Sequence, residues 1–63
     1  MKVNNIPDYA HEYAYTVVRM IDGEAWYYGS WRDIECAARA AYEVEGHVIP
    51  TAEIDRLYGG TAQ

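Results

Sequence analysis

The sequence has no phenylalanine, a single cysteine and few basic residues, and the last two shortages each exclude a class of protein. Cys36 has no partner within the chain, so a disulfide framework is excluded, and a lone cysteine fits a reducing, cytosolic compartment. Five Lys and Arg stand against ten Asp and Glu, which gives a net charge of −5. A phosphate backbone repels such a surface, so we expect no direct nucleic-acid binding and favour a basic protein partner.

Long apolar runs are also missing. No stretch approaches the ~20 apolar residues of a membrane span, and the first five residues lack the apolar run of a signal peptide. We therefore expect a cytoplasmic protein without a membrane partner. With 63 residues, the chain has room for one domain.

Tyrosine dominates the large side chains that are present, with seven Tyr and two Trp. Residues 11–21 and 24–28 are rich in strand formers. Asp22-Gly23 between them is typical of a two-residue hairpin turn, in which both residues need positive φ. The turn fixes the pairing of the two strands, so that Val17 is predicted to lie opposite Tyr28.

A helix is predicted next, with Ser30 as its N-cap and Gly46 in the left-handed position after its last turn. Its predicted inner stripe recurs at spacings of three and four and consists of Ile34, Ala37, Ala38, Ala41 and Val44. A short third strand over 47–49 and a short C-terminal helix over 52–58 follow.

These elements predict an α+β fold. A three-stranded, antiparallel-type sheet in the order 2-1-3 carries one α-helix packed on one face and a short C-terminal helix. We interpret residues 1–10 as an irregular lead-in, 11–58 as a single ββαβ(α) domain and 59–63 as a flexible tail.

Side-chain alternation along the hairpin assigns residues to two faces of the sheet. The uncharged face, predicted to be the core beneath the helix, holds Ala14, Thr16, Val18, Met20, Ala25 and Tyr27. The opposite face holds the residues that we expect to bind a partner: Tyr13, Tyr15, Arg19, Trp26 and Tyr28. Rigid aromatics with an arginine are typical of interaction hot spots. In the alternative, the C-terminal helix folds over this face.

A second candidate surface is acidic. Glu43 and Glu45 close the predicted helix, where the helix dipole is already negative and no lysine compensates. With Glu53 and Asp55 downstream, they form a candidate acidic patch for a partner. The alternative is that these acids only keep the chain in solution.

The chain offers little material for catalysis. His11, Cys36 and His47 fall on three different predicted elements and show none of the paired spacings of zinc sites. The sequence has no Gly-rich phosphate loop and no nucleophile elbow. We expect no metal, no cofactor and no enzymatic activity, and interpret the chain as a binding protein.

Residues 22–31, the alanines from Ala37 to Ala41 and residues 45–49 resemble small uncharacterised proteins of bacteriophages and prophages. The resemblance covers roughly residues 13–50. It implies a host-takeover or anti-defence factor, a class that includes anti-CRISPR proteins, in the cytoplasm of a bacterial host. Such a factor binds and inhibits or modulates a bacterial protein, such as a nucleic-acid-handling enzyme or a defence complex.

Two other functions remain open from the sequence. The aromatic face suits the dimer interface of a self-associating structural module, and a homodimer would then be the working form. Tyrosines on a sheet can also stack bases in a weak nucleic-acid binder, but the basic residues here are few and scattered.

Overall fold

The computed structural model describes residues 3–54 and residue 56. Its elements are β1 (Val3–Asn4), a first 3₁₀ helix (Asp8–Glu12), β2 (Tyr15–Ile21), β3 (Glu24–Trp31), α1 (Ile34–Val44), β4 (His47–Pro50) and a second 3₁₀ helix (Thr51–Glu53). The sheet has the order β1-β3-β2-β4. β1 runs parallel to β3, and the other pairs are antiparallel. The fold is therefore α+β with a mixed sheet.

The predicted arrangement of three strands around a central first strand agrees with the order β3-β2-β4. The sheet has a fourth strand, however, because Val3 and Asn4 pair with Ala25 and Trp26. This strand lies in the stretch that was predicted to be irregular, as does most of the first 3₁₀ helix. The second 3₁₀ helix stands where the C-terminal helix was predicted to begin. Residues 55 and 57–63, which include the predicted tail, lie outside the described residues.

The hairpin forms at the predicted turn. Asp22 and Gly23 have φ values of 54° and 81°, the positive pair that a type I′ turn requires. The predicted register holds from the turn to Val18, but Val17 then lies opposite Gly29 and not opposite Tyr28. A β-bulge at this step inserts one extra residue into β3.

The bulge also changes where β3 ends. The strand continues beyond its predicted end at Tyr28, passes through Gly29 and reaches Trp31. Ser30 therefore lies in the sheet and is not the helix cap. Asp33 caps α1 instead, since its carboxylate accepts a hydrogen bond from the Cys36 N–H at 3.2 Å.

The end of α1 places a glutamate where a glycine is usual. Glu45 adopts the left-handed conformation, with φ 56°. The Gly46 N–H donates to the Ala41 carbonyl at 2.7 Å and the Glu45 N–H to the Tyr42 carbonyl at 3.3 Å, the two bonds of a Schellman motif. The prediction that Gly46 holds the left-handed position is therefore wrong by one residue.

The helix packs on the face opposite to the predicted one. A cluster of Val17, Ala37 and Ala41 forms its contact with the sheet. Half-buried Tyr15, Trp31, Ala40, Val44 and Val48 surround this cluster. Ala38 and Ile34, predicted to face the sheet, are exposed. Alternation could not identify the covered face, because Thr16, Val17 and Val18 are all fully buried and both faces of β2 are therefore covered here.

The second face has its own core. Val3, Val18, Ala25, Ile49 and Ile54 pack there, with Ile6 and Tyr27 alongside. The prediction that α1 covers this face is wrong. Segments from both ends of the described chain cover it instead. Of the residues assigned to this core, Ala14 and Met20 are exposed.

Candidate binding surface

The helix covers only part of the face on which it lies. Along β2 the side chains alternate, so Arg19 and Ile21 share the face of Val17, and Trp26 lies opposite Arg19 on β3. These side chains stand beyond the helix: Ile21 is 42% exposed and Trp26 is 38% exposed. We call Arg19, Ile21, Trp26 and Tyr28 the aromatic surface.

Tyr28 connects this surface to the bulge. Its ring stacks on the ring of Trp31, with centroids 6.4 Å apart and planes inclined by 27°. The Trp31 ring lies on the backbone of Gly29, where a β-carbon would come within 2.6 Å of the ring. A residue without a side chain is therefore required at position 29 for Trp31 to reach this place beside Tyr28.

A shallow groove follows from the bulge along the edge of β3. It has a volume of about 540 Å³ and is lined by Tyr9, Tyr13 and residues 27–31. We call it the tyrosine groove. Every lining residue except Gly29 and Ser30 is aromatic. Tyr28 belongs to both the groove and the aromatic surface, so the two are continuous.

The edge of β3 beside the groove is uncovered. β1 pairs with β3 through Ala25 and Trp26, and within residues 3–54 no strand lies beside residues 27–31 on the side away from β2. The first 3₁₀ helix, which begins after Pro7, brings Tyr9 to this region, and Tyr9 is 58% exposed. The groove is thus formed by two segments, one before β2 and one in β3, whose proximity could not be predicted from the sequence alone.

Two contacts fix the groove from within. The Arg32 guanidinium lies over the Tyr13 ring, 5.0 Å from its centroid, a cation–π geometry. The Tyr27 and Ser30 hydroxyls are hydrogen-bonded at 2.9 Å, and Ser30 is also 3.3 Å from the Thr16 hydroxyl. The Thr16 hydroxyl in turn bonds to that of Thr51 at 2.8 Å in the interior. A chain of hydrogen bonds therefore connects the groove residues Tyr27 and Ser30 to the buried Thr16 and Thr51.

The structure divides the five residues predicted for the aromatic face. Arg19, Trp26 and Tyr28 are exposed, whereas Tyr13 and Tyr15 are half-buried. Tyr15 packs against the cluster beneath the helix, and Tyr13 lines the groove. Arg19 lies opposite Trp26, in agreement with the register that a two-residue turn at Asp22-Gly23 predicts.

The acidic residues do not share one setting. Glu43 and Glu45 are exposed together at the end of α1, beside Tyr42. Glu53 is half-buried in the second 3₁₀ helix, and its carboxylate accepts a hydrogen bond from Arg56 in an ion pair. Asp55 lies outside the described residues. Glu43 and Glu45 therefore remain the exposed part of this candidate patch.

Cys36 is exposed, and its hydrogen bond to the Asp33 carboxylate, together with the negative charge of Asp33, raises the pKa of the thiol. A raised pKa lowers the thiolate fraction and so the reactivity of the sulfur. Residues 3–54 and 56 hold no group of three or more His, Cys, Asp or Glu arranged to bind a metal ion. In the same residues no helix has the length and apolarity needed to cross a membrane.

Sequence reasoning missed five groove residues, namely Tyr9, Tyr27, Gly29, Ser30 and Trp31. Tyr27 was assigned to a core beneath the helix because the helix was placed on the wrong face, and Ser30 was assigned to the helix cap because the bulge was not predicted. Gly29 carries the signal that was available, since a glycine inside a strand often marks a bulge or a close approach of another group.

Comparison with protein families, with curated proteins and with solved structures found no match to this chain. The function is therefore inferred from the geometry of the surface.

Proposed function

We propose that this chain is a binding protein that acts by occupying the surface of another protein, through the aromatic surface and the adjoining tyrosine groove. The observation that carries the proposal is the exposure of large aromatic rings on adjacent parts of one strand: Trp26 is 38% exposed and Tyr28 is 44% exposed. In a chain with seven Tyr and two Trp, these rings stay outside both cores.

The physical case is that such rings are the usual anchors of protein interfaces. Tyr, Trp and Arg are enriched among the residues that contribute most to binding. Here Arg19 stands opposite Trp26, and Ile21 lies beside them on the same face. The net charge of −5 further favours a partner with a basic surface.

The resemblance to bacteriophage proteins supplies the proposed setting. A phage factor that works in stoichiometric amounts needs a binding surface and no catalytic centre. The proposed partner is therefore a bacterial protein that the chain inhibits or modulates, with a basic nucleic-acid channel as one suitable target for an acidic chain. The protein would act in the cytoplasm of the bacterial host.

The test is affinity capture from bacterial lysate with the intact chain and two variants. Trp26→Ala removes an exposed ring from the aromatic surface, and Tyr42→Ala removes the ring of a helix residue that is 86% exposed. Loss of a central interface aromatic costs about 2 kcal/mol or more, roughly a thirtyfold weaker complex. We expect Trp26→Ala to release the captured protein and Tyr42→Ala to retain it.

Both variants are first compared with the parent by thermal melting, so that lost binding is separated from lost folding. The proposal would be contradicted if both variants captured the partner equally well, or if both lost it to the same extent. In the second case the acidic end of α1 is the next candidate, and charge reversal of Glu43 with a titration of salt would test it.

Self-association is the second candidate function. The same exposed rings that suit a foreign partner also suit a second copy of the chain. Two copies would each bring a net charge of −5, which opposes their approach at low salt. Sedimentation at increasing salt concentration distinguishes the two, since a homodimer held by the aromatic surface should strengthen as the charge is screened.

A further inference from the structure

We infer that the tyrosine groove binds a proline-rich segment of a partner protein, held as a polyproline II helix with a basic residue near one end. This inference rests on the proposed function, because it assigns to the groove one kind of segment within a protein partner. It goes beyond that proposal by naming the conformation and the composition of the ligand.

Aromatic side chains form most of the groove wall. Tyr9, Tyr13, Tyr27, Tyr28 and Trp31 line a groove that is shallow and about 540 Å³ in volume. Flat aromatic side chains are good surfaces for proline rings, and aromatic-lined grooves are one of the recurring ways in which proteins bind proline-rich segments. A polyproline II segment is already extended when free, so little conformational entropy is lost on binding.

The groove also offers hydrogen-bond donors to an extended ligand. A polyproline II helix has no internal hydrogen bonds, so its backbone carbonyls need donors from the protein that binds it. Tyrosine hydroxyls are such donors, and the groove brings together four tyrosines. Tyr9 and Tyr28 are 58% and 44% exposed, so their rings remain accessible to a ligand. The Tyr27 hydroxyl is already bonded to Ser30.

An added β-strand, the other extended ligand, fits this edge poorly. Strand addition needs a regular row of backbone groups, and the uncovered part of β3 contains the bulge that shifts the register between Val18 and Val17. A bulge bends and twists a strand, and proteins use this to prevent pairing at a sheet edge. The groove therefore offers aromatic rings along an edge that is poorly suited to further strand pairing.

The charge around the groove favours a basic residue in the ligand. Asp8 and Glu12 are exposed at the two ends of the 3₁₀ helix that carries Tyr9. Arg32 lies at the groove as well, but it is stacked on Tyr13. A basic residue beside the prolines would be attracted by Asp8 and Glu12 and by the overall charge of −5. The same charge opposes a second copy of the chain as the occupant.

The experiment is a titration of the ¹⁵N-labelled intact chain with three synthetic peptides. One contains prolines spaced as P-x-x-P with an adjacent arginine, the second replaces each proline by alanine, and the third replaces the arginine by glutamate. We expect the first peptide to shift the indole resonance of Trp31 and the amides of residues 27–31. The alanine peptide should bind at least about tenfold more weakly, and the glutamate peptide should also bind more weakly.

Tyr9→Ala is the matched variant of the protein, because Tyr9 is exposed and lies outside both cores. It should weaken binding of the first peptide about tenfold or more, whereas Tyr42→Ala should leave it unchanged. Equal binding of the proline and alanine peptides would overturn the inference in favour of strand addition. Self-association that Tyr9→Ala abolishes would overturn it in favour of a second copy.

The two proposals fail in different ways. If no peptide binds but capture from lysate still depends on Trp26, the assignment of a proline-rich ligand is wrong and the proposed function stands. If capture is unaffected by Trp26→Ala and no peptide binds, both are wrong. Binding that depends on proline, arginine and Tyr9 supports the inference.

Discussion

The two faces of the sheet are covered by different means. On one face, a helix of small residues approaches the sheet closely through Ala37 and Ala41. On the other, larger side chains from strands that are distant in sequence meet beneath the two ends of the described chain, with Ile49 and Ile54 each 4% exposed. The packing of the first face therefore requires small side chains on the helix. The packing of the second face requires large side chains that fill the space between the sheet and the two chain ends.

The partial cover of the first face leaves large side chains of the hairpin exposed. The helix is eleven residues long and reaches only part of its face, so Arg19, Trp26 and Tyr28 remain outside it. On the second face, Val3 and Ile6 from the start of the described chain fill the corresponding space beside Ala25. β1, a strand of two residues, contributes to this core through Val3.

The largest expected effect comes from removing volume on the second face. Ile49→Ala deletes a buried side chain that α1 does not cover, and such changes typically cost about 2–5 kcal/mol of unfolding free energy. Val48→Ala, one residue earlier on the helix side, removes a half-buried side chain and should cost less. Urea denaturation measures both.

Ile49→Val serves as a graded control, with an expected cost of about 0.5–1.5 kcal/mol, in case Ile49→Ala does not fold. If Val48→Ala lowered the unfolding free energy more than Ile49→Ala, the helix side would be the principal core, contrary to the packing described for the two faces.

A smaller effect is expected from adding volume on the helix face. Ala37 is fully buried against the sheet, so Ala37→Leu should force α1 away from Val17, with a typical cost of ~1–3 kcal/mol. Ala38 is exposed, and Ala38→Leu should change stability by less than about 0.5 kcal/mol. The difference between the two melting temperatures tests the rotation of the helix about its axis; equal changes would show that this rotation is wrong.

The sequence predicted the elements better than their contacts. Asp22-Gly23 predicted the hairpin and four pairs of its register, because a two-residue turn leaves little freedom. The alternation of side chains along β2 did not predict which face of the sheet lies beneath the helix, because three successive residues of this strand are buried. The exposed part of the site, Arg19, Trp26 and Tyr28, followed from the register. The groove did not, because it depends on the bulge and on a 3₁₀ helix that brings Tyr9 to the edge of β3.

The smallest predicted effect is a gain in stability at the end of the helix that covers the first face. Glu45 holds a left-handed backbone with φ 56°, a conformation that costs a residue with a side chain about 1–2 kcal/mol and glycine little. Because glycine also gains freedom in the unfolded chain, Glu45→Gly should raise the unfolding free energy by up to about 1 kcal/mol, measured by chemical denaturation.

Glu45→Gln is the matched control for this change. It removes the same negative charge from the exposed end of α1 but keeps a side chain on the left-handed backbone. If removal of negative charge were the cause of the gain, Glu45→Gln would reproduce it. A gain in Glu45→Gly that Glu45→Gln lacks would show that the backbone conformation of residue 45 is responsible.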